Sequence, residues 1–309
     1  MGRPKGSKNI IRFSENEIKE IIRLYAEENI ALYKLEKKFH TSSATLKRIF
    51  EMNNVKLKSF RESKRLYPFN ESYFETIDSK DKAYFLGFLF ADGCVSLGAN
   101  GQYLFKLSLK DKYPILLFRK YLNSKKPICE TKQSKNSYSN GTIMYSLEYS
   151  SPKTFQDLCN LGCSPNKTFN LKFPDIPKEL ESHFIRGFFD GDGSVFLHKY
   201  NKIKDGNKID SEFNYQLGVT FSGIHDFLEE IRIKANIPEK TLYKDERKET
   251  DCWNIKILSI SRCYSLYNYM YKDCEDLFLP RKKEIFDNFL TDRGSTTIIA
   301  NPYNFNNED

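Results

Sequence analysis

Two aspartates, Asp92 and Asp192, each stand just before a glycine at the end of an apolar, glycine-bearing run, and they lie 100 positions apart. The runs are Ala-Tyr-Phe-Leu-Gly-Phe-Leu-Phe-Ala-Asp-Gly over 83–93 and His-Phe-Ile-Arg-Gly-Phe-Phe-Asp-Gly-Asp-Gly over 183–193. Glycine inside a helix costs about 1 kcal/mol against alanine, so Gly87 and Gly187 need a use. A small residue follows each four positions later, Ala91 and Gly191, which strips one helix face and lets a partner helix approach closely. Leu86, Phe88, Leu89, Ile185, Phe188 and Phe189 fill the other positions, so both helices are expected to be buried on nearly all sides. Packed face to face about a pseudo-two-fold axis, they would set Asp92 and Asp192 side by side at their C-terminal ends. The helix dipole is negative there and each carboxylate opposes the other, so the arrangement costs stability unless a divalent cation bridges them. Two carboxylates with the end carbonyls of Ala91 and Gly191 are hard oxygen ligands suited to Mg2+. Gly93 and Gly193 are expected to let the backbone turn sharply out of each helix.

The elements behind the two aspartates recur in the same order. A strand over 104–110 matches one over 216–221, and a helix over 115–122 matches one over 224–235. A later strand, 143–149 or 253–258, is followed by a closing helix, 154–161 or 263–271, and the exits Pro165-Asn166-Lys167 and Pro280-Arg281-Lys282 correspond. Two similar half-domains follow, each reading helix, two strands, helix, two strands, helix. Along the strands, Lys106, Ser108 and Lys110 alternate with Phe105, Leu107 and Leu109, and Asn214, Gln216 and Thr220 alternate with Tyr215, Leu217, Val219 and Phe221. One polar face per sheet is thereby predicted. Loops are expected over 132–140 and 199–208.

These residues carry a resemblance. Positions 85–93 and 185–193 resemble the LAGLIDADG motif, and 81–290 resemble the single-chain, two-motif LAGLIDADG homing endonucleases. The resemblance implies an α+β fold of two pseudo-symmetric αββαββα repeats, forming a DNA-binding β-saddle with helices behind, its polar strand residues suited to hydrogen bonding in the major groove and its loops over 132–140 and 199–208 at the phosphates. It implies a site-specific double-strand DNA endonuclease with Asp92 and Asp192 as its catalytic, metal-binding acids. Each would help cut one strand, leaving short 3′ overhangs, with Mg2+ as cofactor and Ca2+ supporting binding without cleavage. Metal-assisted in-line hydrolysis needs no protein nucleophile, which agrees with only four histidines. The first motif departs from the pattern at Phe90, where aspartate is common; the second keeps Asp190. A basic residue commonly assists in this family. Lys256 is the candidate here, facing outward with Asn254 from Trp253-Asn254-Ile255-Lys256-Ile257, opposite Leu147 in the first repeat. Lys167 and Lys282 are further candidates and expected DNA contacts.

Ahead of the repeats, residues 1–12 resemble an AT-hook, with Arg3, Lys5 and Lys8 as minor-groove and phosphate contacts. Residues 13–58 read as three short helices resembling a helix-turn-helix unit. Ser14 with Glu17 forms a capping box, a second helix covers 32–39, and Ser42 caps a third whose Thr45, Lys47 and Arg48 approach DNA. A basic linker is expected over 59–80, the first repeat over 81–178, the second over 179–290, and a frayed tail over 291–309.

Composition is compatible with this. A hydrophobic share of 39% supports a core, and 49 Lys+Arg against 41 Asp+Glu, net charge +8, favours a polyanionic partner only mildly. Seven scattered cysteines without Cys-x-x-Cys spacing argue against zinc and for reduced thiols inside a cell. No signal peptide and no membrane-spanning run is expected. The expectation is a soluble, intracellular monomer of phage, bacterial or organellar origin that binds double-stranded DNA at a long specific site, with no obligate protein partner. The competing readings are a non-catalytic DNA-binding regulator of the same fold and an intron maturase binding RNA. The hook and the helix-turn-helix unit favour duplex DNA, because side chains reach little of RNA's deep major groove.

Overall fold

A computed structural model describes residues 13–28, 30–58, 65–98, 100–133, 141–165, 167, 171–204, 207–246 and 251–292, leaving out the side chains of 202–213 and 290–292. Arg3, Lys5 and Lys8, the middle of the expected linker and the C-terminal tail lie outside the described residues. The chain divides into two compact units at Phe69/Asn70.

In the first unit Ser14 accepts from the Glu17 N–H, and Glu17 accepts in return from the Ser14 N–H at 2.8 Å, so the expected capping box opens α1 (Glu15–Ala26). Helix α2 (Leu32–Lys38) and helix α3 (Ser43–Met52) follow, the latter capped by Ser42. Ile21, Leu24, Tyr25, Leu35, Leu46, Ile49 and Phe50 form their core, with Tyr25 stacked on Phe50 at 4.2 Å. Lys47 and Arg48 project into solvent, whereas Thr45 is half-buried, with its hydroxyl 3.1 Å from that of Ser42.

The expected linker over 59–80 is too long. From Asn70 onward the chain belongs to the second unit, with Tyr73, Phe74 and Ile77 buried. The Asn70 N–H donates to the Leu122 carbonyl at 2.8 Å, and Thr154 donates to the Glu71 carbonyl at 2.9 Å. Phe74 packs against Phe118 at 6.5 Å. The aromatic pair at 73–74 outweighs the charge of the preceding stretch.

The second unit is the αββαββα pattern written twice. The first repeat comprises α4 (Lys80–Asp92), β1 (Gly93–Leu97), β2 (Tyr103–Leu109), α5 (Lys112–Tyr121), β3 (Cys129–Lys132), β4 (Ile143–Ser150) and α6 (Pro152–Asn160). The second comprises α7 (Glu181–Asp192), β5 (Ser194–Lys204), β6 (Asn207–Gly223), α8 (His225–Lys234), β7 (Leu242–Lys244), β8 (Trp253–Ile257) and α9 (Ile260–Tyr271). A further helix, α10 (Pro280–Asp292), has no counterpart in the expected pattern. Each repeat forms one antiparallel four-stranded sheet, in the orders β1-β2-β4-β3 and β5-β6-β8-β7, so the topologies are the same.

The sheets bury one face each, with Val95, Phe105, Leu107, Leu147 and Tyr149 in one and Val195, Leu217, Val219, Phe221, Ile255 and Ile257 in the other. Full burial of such a side chain contributes about 1.5–3 kcal/mol, so this alternation fixes the register. The ladder Cys94–Lys106–Glu148 corresponds to Ser194–Thr220–Lys256. The counterpart of Lys256 is therefore Glu148, not Leu147. Leu147 is 1% exposed and points into the core, and a one-residue slip exchanges the faces of a strand.

Candidate active site

The glycines of α4 and α7 are spaced for contact, and the contact is made. A Cβ on Gly187 would stand 1.9 Å from the Tyr84 carbonyl oxygen, and one on Gly87 2.1 Å from that of Phe184. A Cβ on Gly191 would lie 2.3 Å from the Ala91 Cβ and 3.0 Å from Asp92 Oδ2. The contacts advance toward the C-terminus on both helices together, so the helices run parallel and end side by side. Gly93 and Gly193 serve differently from expectation. Their φ values, −76° and −78°, are ordinary extended backbone, so no left-handed turn is made. Space explains them, because a Cβ would fall 2.5 Å from the Leu89 carbonyl oxygen or 2.2 Å from the Phe189 ring.

Asp92 and Asp192 both reach solvent at this shared end. Among the described residues neither carboxylate takes part in a hydrogen bond or ion pair. Surrounding protein and the charge of Asp192 push the Asp92 carboxyl up to about 6, and burial also raises that of Asp192. Two clefts flank the pair. One, of about 220 Å³, is lined by Asp92, Ser108, Lys110, Asp111, Gly191 and Arg281. The other, of about 510 Å³, is lined by Ala91, Lys167, Asp192, His225, Asp226 and Asp251. Each cleft thus combines the aspartate of one motif with the small residue of the other.

The donor set fits a hard divalent cation in one respect and limits it in another. No group of three or more His, Cys, Asp or Glu side chains that could hold a metal exists among the described residues. An all-side-chain cage is therefore not offered. Mg2+ does not require one, since one or two carboxylates, water and substrate phosphate oxygens suffice. The carbonyls of Ala91 and Gly191 are already approached by lysines at 3.3 Å each, so they are shared ligands at most.

Those lysines are Lys167 and Lys282. Lys167 Nζ donates to the carbonyls of Ala91 and Gly93, the latter at 2.7 Å. Lys282 Nζ faces four carbonyls at the end of α7, those of Phe189, Asp190, Gly191 and Gly193. Each lysine places positive charge at the negative end of a helix, next to an aspartate. Burial lowers Lys282 to about 8. The repeat exits that correspond in sequence thus correspond in position, and the structure brings these two lysines to the acids.

Lys256 is not brought there. It is exposed on β8, opposite Thr220, which itself pairs with Ser194. Two strand spacings separate it from the strand that follows Asp192, about 10 Å. Asn254 shares its face but is buried and accepts from the Ser222 hydroxyl at 2.7 Å. The other expected polar-face residues lie where the alternation put them: Lys106, Ser108, Asn214, Gln216 and Thr220 are half-buried and Lys110 is exposed. Sequence reasoning missed Arg281, which lines the Asp92 cleft and donates to Asp111 at 3.0 Å. Its signal was its place beside Lys282 in the second exit.

No family model matches the chain, and no curated protein matches it. Among solved structures, the chain is similar to the I-LtrWI LAGLIDADG homing endonuclease bound to target DNA, with 16% identity over 75% of this chain and 97% of that one, and a TM-score of 0.44. It is similar to the LAGLIDADG meganuclease I-CpaMI bound to uncleaved DNA, at 14% identity over 71% and 96% of the two chains, TM-score 0.40. It is also similar to the meganuclease I-SmaMI bound to uncleaveable DNA with a TTGT central four, at 14% identity over 73% and 96%, TM-score 0.43. The architecture that the LAGLIDADG resemblance implies, two αββαββα repeats joined through their motif helices, is the architecture of this chain.

Proposed function

We propose that the protein is a Mg2+-dependent, site-specific endonuclease of double-stranded DNA. The observation that carries this reading is the parallel pair α4–α7, which ends with two carboxylates that neither hydrogen-bond nor ion-pair among the described residues, next to two polar sheet faces. Asp92 and Asp192, with shared use of the Ala91 and Gly191 carbonyls, would hold the cation. Bound there, Mg2+ supplies Lewis acidity that stabilises the attacking and leaving oxygens of an in-line phosphodiester hydrolysis. Lys167 and Lys282 hold positive charge beside the acids and so offset the approach of the DNA phosphates. Lys106, Ser108, Lys110, Asn214, Gln216 and Thr220 reach base edges in the major groove. The three-helix unit acts as a helix-turn-helix module through Thr45, Lys47 and Arg48, with Arg3, Lys5 and Lys8 in the minor groove. Both halves of the site come from one chain, so a monomer suffices.

The test is selection from a library of randomised duplexes incubated with purified protein. In Mg2+ we expect one family of sequences to be cut in both strands, and in Ca2+ the same family to be bound and left intact. Binding of one family without cutting in either ion would establish a regulator instead.

A further inference from the structure

Helix α7 carries three polar side chains that its partner lacks. His183, Arg186 and Asp190 correspond, by the motif register, to Ala83, Leu86 and Phe90. The spacing i, i+3, i+7 puts them on one helix face. All three are buried, Arg186 with no exposure and Asp190 with 2%.

Buried charges are expensive unless fully paired, so their partners show what they hold. Arg186 Nε donates to the Leu277 carbonyl, and another of its nitrogens to the Met270 carbonyl, both at 2.6 Å. That second nitrogen also lies 2.9 Å from His183 Nδ1. Asp190 accepts from the Leu279 N–H at 2.8 Å, the Tyr271 hydroxyl at 3.2 Å and, from the other motif helix, the Tyr84 hydroxyl at 2.8 Å. Every hydrogen-bond partner of the Arg186 and Asp190 side chains except Tyr84 and His183 lies between Met270 and Leu279. That segment runs directly into Pro280, Arg281 and Lys282 at the start of α10.

The first half fastens the same place without charge. Phe90 packs edge-on against Phe184 at 5.0 Å, and a Cβ on Gly162 would stand 3.4 Å from the Phe90 Cζ. Cys163 reaches the Leu89 carbonyl at 3.6 Å. Lys167 follows that loop as Lys282 follows the stapled one.

We propose that Arg186 and Asp190 are positioning residues for the second half of the site. By stapling 270–279 to α7 they set Lys282 on the end of that helix and Arg281 in the Asp92 cleft, and so cleavage of one DNA strand depends on them far more than cleavage of the other. This rests on the endonuclease reading. Loss of the staple unbalances the two strands and yields nicked DNA.

The experiment is strand-resolved cleavage of the selected target by the full chain in Mg2+, for wild type, Asp190→Asn, Lys282→Met and the double variant, with binding measured in Ca2+. Expected for Asp190→Asn is slowing of one strand by about 10-fold or more relative to the other, with binding changed little. The slowed strand is the one slowed by Lys282→Met, and the double variant is no slower on it than Lys282→Met alone, because groups that act as a unit are non-additive. Should Asp190→Asn not fold, Tyr271→Phe removes a single hydrogen bond to the same carboxylate and is read by the same strand ratio, expected to shift in the same direction. Equal slowing of both strands, or additive effects on one, would overturn the proposal while leaving the endonuclease reading intact. A wild-type protein that cuts neither strand overturns both.

Discussion

A carboxyl group held up near 6 keeps its proton in the folded chain at pH values where the unfolded chain has released it. Asp92 is such a group, through burial and the neighbouring Asp192, against the opposing charges of Lys282, Lys167 and Arg281. Its ionisation therefore costs stability, and the folded state weakens as pH rises from about 4 to about 6. In metal-free buffer we expect Asp92→Asn to flatten that fall in the unfolding midpoint and to be more stable than wild type at pH 7. Added Mg2+ should raise the wild-type midpoint at pH 7 more than that of the variant, by mass action on the folded state. An unchanged pH profile in Asp92→Asn would show that the Asp92 carboxyl is not held up in the folded chain. The lysines separate in the same way. Lys167→Met and Lys282→Met are each expected to slow cutting by about 100-fold, the order seen when one preorganised electrostatic group is removed. Lys256→Ala should change it by less than about 3-fold, as expected of an exposed residue outside the site. Strand-resolved rates on the selected duplex decide between the lysines, and a large loss in Lys256→Ala would restore it to the site.

The motif helices were legible in the sequence because their glycines have no other use. Gly87 and Gly187 face backbone carbonyls at a distance no Cβ tolerates. Gly187→Ala must push the helices apart, and we expect a loss of about 3 kcal/mol or more, in line with overpacking of a tight core. For a unit of this size that is roughly a 6–12 °C fall in the unfolding midpoint, measurable by calorimetry. A change under about 1 °C would mean that α4 and α7 are not in contact as described. The polar and apolar faces of β2 and β6 were also legible, since alternation with period two leaves little choice. Register between distant strands was not. Pairing Lys256 with Leu147 instead of Glu148 is an error of one position, invisible until the ladders are formed. The linker beyond Asn70 was misread because its partners, Leu122, Ser151 and Thr154, lie more than 50 residues away. The Arg186–Asp190 staple was hidden for the same reason: its partners in the 270–279 segment are 81 to 91 residues along the chain.

At the scale of the molecule, the excess of 49 Lys+Arg over 41 Asp+Glu is modest, so the proposed function places specificity on the two polar sheet faces instead. Glu148 beside Lys106 in one sheet, against Lys256 beside Thr220 in the other, makes the two half-sites chemically different. An asymmetric target is expected, with binding that weakens steeply with salt, as phosphate contacts require. No helix among the described residues is long and apolar enough to cross a membrane. The proposed function depends above all on Asp92 and Asp192 jointly holding the cation that assists DNA hydrolysis. Its most direct test is cleavage of the selected duplex in Mg2+, with each strand labelled, by wild type, Asp92→Asn and Asp192→Asn. Wild type is expected to cut both strands, and each variant to bind the duplex in Ca2+ yet make no double-strand break in Mg2+. Double-strand cutting at the wild-type rate by either variant would contradict it.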